Sequence, residues 1–243
     1  MKSLVLAKRN LKEAFLDPLS LIFTFLLPVA LLVLMQLIFG NMAEAPMFEI
    51  NAFAPGIATF GFTFAMLYIG LTITNDKTHA FMNRIFASPV TSGEYLFSFV
   101  LSNFPLMLMQ TLAFYLVSLI FGLNVSVGTL VSIVYLIPSM AMYMSLGLLI
   151  GAIVNKAEQA GPVSSIIITA TGLLGGIWMP IENIGGTFLT VCKYLPFYPG
   201  VEMARNAGLG IYSTAFPNVL IVLGYTLVFF ALAVVIFKKK SKR

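Results

Sequence analysis

Few side chains in this sequence can do covalent or metal chemistry. Cys192 and His79 each occur once. A disulfide framework needs pairs, and a zinc site needs about four closely spaced ligands. There is no G-x-x-x-x-G-K-[ST] phosphate loop, and Gly208-Leu209-Gly210 is too short for a dinucleotide fingerprint. No cofactor is therefore expected on this chain. An intramembrane hydrolase needs a nucleophile or a metal cluster at membrane depth, and none can be assembled. What remains is one dense polar stretch, Asn75 to Ser98, NDKTHAFMNRIFASPVTSGEYLFS. Its acids, bases and short apolar ridge suit recognition and the passing of force, not catalysis.

The elements around that stretch belong to a membrane. The chain is 59% hydrophobic and 9% charged, with a mean hydropathy of +0.97. Soluble domains carry about 25% charged residues. The net charge of +5 does not indicate nucleic acid as a partner, because the basic residues cluster beside apolar runs, as orientation signals do.

Residues 1–17 read as an interfacial helix, with Leu4, Ala7, Leu11, Ala14 and Phe15 on one face and Arg9, Lys12 and Glu13 opposite. Asp17-Pro18 suits an N-cap followed by Pro in the first turn. Uncharged runs of about 20 residues suffice to span a bilayer. They place spans at about 18–40, 52–75, 95–121, 127–153, 161–178 and 217–237. A cleavable leader is disfavoured, because the first apolar run is longer than the usual h-region of about 7–15 residues. The uncharged run from Tyr95 to Asn155 would reach roughly 90 Å as one helix, so it must turn back near Gly122 to Gly128. Pro28, Pro105 and Pro138 are expected to kink the spans that hold them. Residues 179–216 mix charges, Pro and Gly with apolar turns too short to cross, and read as an outer segment of broken or re-entrant helices.

Orientation follows from Lys and Arg. Twelve of fourteen fall on one side if both termini are cytoplasmic, and only Lys193 and Arg205 lie outside. The five basic residues after Phe237 are sufficiently explained as a stop-transfer anchor.

Within the opening stretch, Phe81/Ile85 and Met82/Phe86 are i,i+4 pairs that form an apolar ridge on a helix over about 77–87. Asp76 and Thr78 suit its start, and Ser88-Pro89 ends it. Thr91-Ser92-Gly93-Glu94 is a capping box from which the third span starts at once. A stiff corner of this kind can pass a push into the bundle. A plain loop helix lying on lipid fits the pattern equally well.

D-K-T-H-A-F-M-N-R-I-F-A-S-P-V-T-S-G-E-Y-L resembles the first cytoplasmic loop of the type-2 ATP-binding-cassette (ABC) transporter permeases. The match falls on Asp76, Lys77, Arg84, Ser88, Pro89, Val90, Thr91 and Glu94. That family often has Gly where Ala80 stands and a basic residue where this chain has Phe99. G-G-I-W-M-P-I-E-N-I, Y-L-P-F-Y-P and E-M-A-R resemble the family's outer segment, on Trp178, Pro180, Glu182, Pro196, Glu202 and Arg205. The usual Pro after the acid is replaced there by Ile184-Gly185-Gly186. The order of spans extends the resemblance over nearly the whole chain.

The resemblance implies one permease half. Its partners would be a second copy or a homologous permease, and a separate cytoplasmic ATPase carrying ATP and Mg. The coupling helix within 76–90 would contact that ATPase through Asp76, Lys77, Phe81, Met82, Arg84, Ile85, Phe86, Ser88, Pro89 and Glu94. The expected fold is thus an all-α integral membrane protein of six transmembrane helices. It has an N-terminal interfacial helix, a cytoplasmic coupling helix and a broken outer segment before the last span. The expected setting is the plasma membrane, and the expected work is export, including multidrug export.

No ionisable residue falls inside the predicted spans. A charge there costs at least about 2.5–3.5 kcal/mol and is kept for a purpose, so a gradient-driven carrier is disfavoured, and an apolar or amphipathic cargo (drug, peptide or lipid) is expected. An ATPase-independent channel or carrier remains the alternative. Asn103 and Gln110 share a face of the third span and suit either a translocation path or hydrogen bonds between helices. Gly147-x-x-x-Gly151 and Gly172-x-x-x-Gly176 suit close helix contact, within one bundle or at a dimer seam.

Overall fold

The structure is a computed structural model that describes residues 2–40, 46–78 and 90–240. Every element among the described residues is helical. The chain opens with α1 (Lys2–Leu16), α2 (Pro18–Leu21), a π turn (Ile22–Leu26) and α3 (Leu27–Phe39). After a 3-10 turn (Pro46–Phe48) come α4 (Ile50–Thr78), α5 (Ser92–Ile120), α6 (Val127–Tyr135), α7 (Ile137–Ile153) and α8 (Ala157–Leu174). The short helices α9 (Ile181–Ile184), α10 (Gly186–Tyr194) and α11 (Phe197–Gly208) precede the long α12 (Tyr212–Lys240).

Five stretches among these are long and apolar enough to cross a membrane: Ile22–Phe39, Ile50–Lys77, Ser92–Ile120, Val127–Ile153 and Tyr212–Lys240. The all-α, multi-span class is as expected. The difference is the span expected at 161–178. Its helix, α8, has 18 residues and carries Glu158 in its first turn and Pro162 in its interior, which dilute its apolar character.

The prolines shape these helices as their missing N–H requires. Just before Pro28 the helix widens to a π turn, closed by the Leu27 N–H donating to Ile22 O. The fourth span is split into α6 and α7 at Leu136, next to Pro138. Pro105 is carried inside α5 without ending it.

α4 and α7 form the centre. Phe53, Ile57, Phe62, Met66, Ile69 and Ile73 of α4 are fully buried, as are Met140, Tyr143 and Leu148 of α7. Glycine permits the approach. A Cβ at Gly147 would lie 2.7 Å from Met66 O, and one at Gly151 would lie 2.7 Å from Ile73 Cβ. A Cβ at Gly172 would meet the Trp178 ring at 2.2 Å. The Gly147 motif therefore packs α7 on α4 inside this bundle, while of the second motif only Gly172 lies on a helix, Gly176 falling past the end of α8. Buried hydroxyls mostly bond back to their own helix, as Thr59 does to Pro55 O and Thr111 to Met107 O. The first span and α12 turn apolar side chains such as Leu37, Leu227 and Val235 outward, the surface a hydrocarbon environment accepts.

α1 packs against α5 on a narrower face than expected. Ala7, Asn10 and Ala14 are buried, while Leu4 and Phe15 are exposed. Small residues allow close approach, and Asn10 Nδ2 donates to Ser98 Oγ at 3.2 Å.

Candidate functional site

Two consecutive residues near the end of α4 gather one end of the bundle. Successive positions on a helix point about 100° apart, so Asp76 and Lys77 face different neighbours. Asp76 is 9% exposed. Its Oδ2 accepts from the Tyr95 hydroxyl of α5 at 2.7 Å, and its Oδ1 lies 3.8 Å from Arg9 Nη2 of α1. The Lys77 ammonium donates to Ala152 O at 3.1 Å and to Val154 O at 2.7 Å. These are carbonyls at the end of α7 that have no acceptor role left inside the helix, and a cation there also complements the helix dipole. Lys240 Nζ, from the end of α12, donates to Ile153 O and to Asn155 Oδ1. Phe237 of α12 joins the two branches. Its ring stacks on Tyr95 at 5.3 Å and lies 5.9 Å from Lys77 Nζ.

Of the residues expected at the partner contact, Phe81, Met82, Arg84, Ile85, Phe86, Ser88 and Pro89 lie outside the described residues. Glu94 does what its spacing predicts. Its carboxylate accepts from Thr91 N–H at 2.8 Å, while its own N–H donates to Thr91 Oγ1 at 3.2 Å. That capping box starts α5.

The pair expected along a path sits on α5, buried within this chain. Asn103 Nδ2 donates to Phe99 O at 2.9 Å and to Ser102 Oγ at 3.3 Å. Gln110 is fully buried, and among the described residues neither its Nε2 nor its Oε1 has a hydrogen-bond partner. Gly61 of α4 leaves it room, since a Cβ there would lie 2.5 Å from Nε2.

At the opposite end α11 is wedged among α4, α6 and α12. Arg205 Nε donates to Ala52 O of α4 at 2.9 Å, and its Nη1 pairs with Glu202 at 3.0 Å. Tyr198, its hydroxyl held well above the usual phenol range by burial and by the Glu182 carboxylate, donates to Glu182 at 2.7 Å. Pro196 is buried before α11, and Pro180 is the exposed residue before α9. Trp178 meets Phe60 edge to face at 5.1 Å. A cleft of about 500 Å³ lies over this segment, lined by Lys193, Glu202, Asn206, Ser213 and Asn218 among others.

Sequence reasoning missed Tyr95, Arg9 and Phe237 as partners of Asp76 and Lys77. It also missed Lys240 as a cap on α7. The only local signal was the Tyr following Glu94. The other partners are brought in from far along the chain.

A family model described as ABC-2 type transporter matches residues 2–209. This chain belongs to that family. The ABC-2 chain is 26% identical over 200 residues to "ABC transporter G family member 20" of Dictyostelium discoideum, covering 79% of this chain and 27% of the relative. It is 29% identical over 103 residues to "Putative transport permease YvfS" of Bacillus subtilis (strain 168), covering 41% of this chain and 40% of the relative. The matches thus span well under half of each relative. The junction at Asp76 and Lys77 and the segment with Trp178, Glu182 and Arg205 both lie inside the region that the ABC-2 family model matches.

Proposed function

We propose that this chain is the membrane-spanning permease subunit of an ABC-type exporter. Its motion is driven by a separate cytoplasmic ATPase that carries ATP and Mg, and it works with a second copy or a homologous permease. The observation that carries the reading is the family match over residues 2–209, which takes in every span before α12. The chain sits in the plasma membrane with both its ends on the cytoplasmic side, as the bias of Lys and Arg favours. Residues 76–90, together with Glu94 at the start of α5, meet the ATPase, with Asp76, Lys77, Phe81, Met82, Arg84, Ile85, Phe86, Ser88 and Pro89 offering the contact. Asn103 and Gln110 belong to the translocation path. The amide of Gln110, which has no hydrogen-bond partner among the described residues, supports this, as a polar group kept at apolar depth at a cost. The cargo is apolar or amphipathic, in keeping with spans whose interior is almost free of charge.

The test is co-purification with the ATPase from the same operon or cell. Phe81→Ala combined with Arg84→Glu should lower the retained ATPase at least tenfold and abolish ATP-dependent transport. Retention and transport at parental levels would remove the contact from this stretch. Normal solute movement by the purified chain alone, without nucleotide, would instead make it a channel or carrier.

A further inference from the structure

We infer that the cleft among α10, α11 and the start of α12 is a binding site for a membrane phospholipid, with Lys193 as the contact to its phosphate. The inference needs the chain to sit in a bilayer. It does not depend on the ATPase coupling proposed above.

The helices that flank the cleft are joined at its deep end. The Tyr225 hydroxyl of α12 donates to Tyr194 O at the end of α10 at 3.1 Å. Between that bond and the start of α12 the cleft opens to about 500 Å³, within the range of about 300–1,000 Å³ for small-molecule sites. Its α12 wall changes character along the helix. Thr214, Asn218 and Ile221 all line the cleft, and their spacing of i, i+4 and i+7 places them on one face. The first two are polar and the third is apolar. Past Ile221, the side chains of Leu223, Leu227 and Val228 are exposed, on a helix long and apolar enough to cross a membrane. Polar groups near the helix start and hydrocarbon contact further along match the order in which a phospholipid presents its headgroup and its chains. A small soluble anion would leave the apolar end unfilled.

Charge selects the phosphate. Glu202 lines the cleft but is paired with Arg205 Nη1 at 3.0 Å. Lys193 also lines it, is exposed, and has no hydrogen-bond or ion partner among the described residues. Lys193 is therefore the charge in the cleft that is left unbalanced, and an ammonium has only donors to offer. A phosphate diester supplies both the acceptor and the opposite charge. The Ser213 hydroxyl and the Asn218 amide in the same lining provide further donors to its oxygens.

The test is lipid titration of the purified full chain in detergent, read by native mass spectrometry. The probe is dioleoyl phosphatidylethanolamine, whose zero net charge limits its attraction to the basic C-terminal residues, which draw anionic lipid. One molecule should bind the parent above the non-specific series. Lys193→Gln should weaken that binding at least fivefold, Lys193→Arg should keep it within about twofold, and Lys239→Gln should leave it unchanged. Asn218→Phe, which fills the cleft without touching the charge, should weaken it as much as Lys193→Gln does. Dioleoylglycerol, with the same chains and no phosphate, should bind the parent at least tenfold more weakly. Equal binding of the phospholipid by the parent and Lys193→Gln overturns the inference, as does equal loss in Lys239→Gln. Full binding by Asn218→Phe puts the lipid outside the cleft and overturns it too. Dioleoylglycerol binding as tightly as the phospholipid leaves an apolar groove with no phosphate site. Glycerol phosphate alone binding as tightly makes the ligand a soluble phosphate ester, and the lipid assignment falls.

Discussion

The amide of Gln110 fills the space that Gly61 leaves on α4, and both of its polar atoms are buried without a partner among the described residues. An unsatisfied buried group costs about 1–3 kcal/mol, whereas an apolar group of similar shape carries no such penalty. Gln110→Leu should therefore raise the melting temperature of the detergent-solubilised chain, and a drop would show that the amide finds a partner in the working protein. Asn103, seven residues earlier, is different, because its amide already bonds to Phe99 O and Ser102 Oγ. The sequence shows that both residues share a face. It does not show that one is satisfied by its own helix and the other by nothing among the described residues, because that depends on what α4 presents opposite each.

At the scale of elements, the close approach of α7 to α4 depends on hydrogen atoms at Gly147 and Gly151. A larger side chain must displace the Met66 carbonyl or the Ile73 side chain, and overpacking of this kind typically costs about 1–3 kcal/mol. Gly147→Leu should lower thermal stability clearly. Gly224→Leu should not, because a Cβ at Gly224 of α12 meets nothing within 4 Å. Equal losses from both would mean that helix propensity, not contact, governs these sites. The small-x-x-x-small spacing is legible in the sequence, but its partner is not. The same spacing suits a seam between two copies, and only the packing of α4 on α7 shows where it is used. The split of the fourth span at Leu136 and the π turn before Pro28 were legible as kinks, because a missing N–H is a property of the residue itself. The buried face of α1 was not. Hydrophobic periodicity pointed to Leu4 and Phe15, while contact with α5 favours small size and one hydrogen bond, through Ala7, Asn10 and Ala14.

For the molecule as a whole, the basic end and the opposite end are each tied by side chains, Lys77 and Lys240 at one and Arg205 at the other. Asn124 adds a further tie at that second end, its N–H donating to Asn51 Oδ1 at 3.0 Å. The Lys and Arg bias predicts that the basic end faces the cytoplasm. A cysteine at exposed Asn124 should then react with an impermeant maleimide in intact cells, and one at exposed Lys156 only after permeabilisation. The native Cys192 is buried and should add little background. The reverse labelling pattern would invert the topology and place residues 76–90 out of reach of any cytoplasmic ATPase.

Composition and spacing alone determined that this is an all-helical membrane protein, where its long apolar helices run, and how α5 is capped at Thr91 and Glu94. They also carried the family resemblance. Each of these is written in neighbouring residues, because hydropathy, helix capping and proline effects act over a turn or two of chain. Tertiary structure decided that Lys77 closes the end of a helix begun sixty residues later, that Tyr95 and Arg9 share one carboxylate, and that Arg205 reaches back to Ala52. Those contacts join positions 67 to 153 residues apart or depend on how separate helices are rotated, and no local pattern records a rotation.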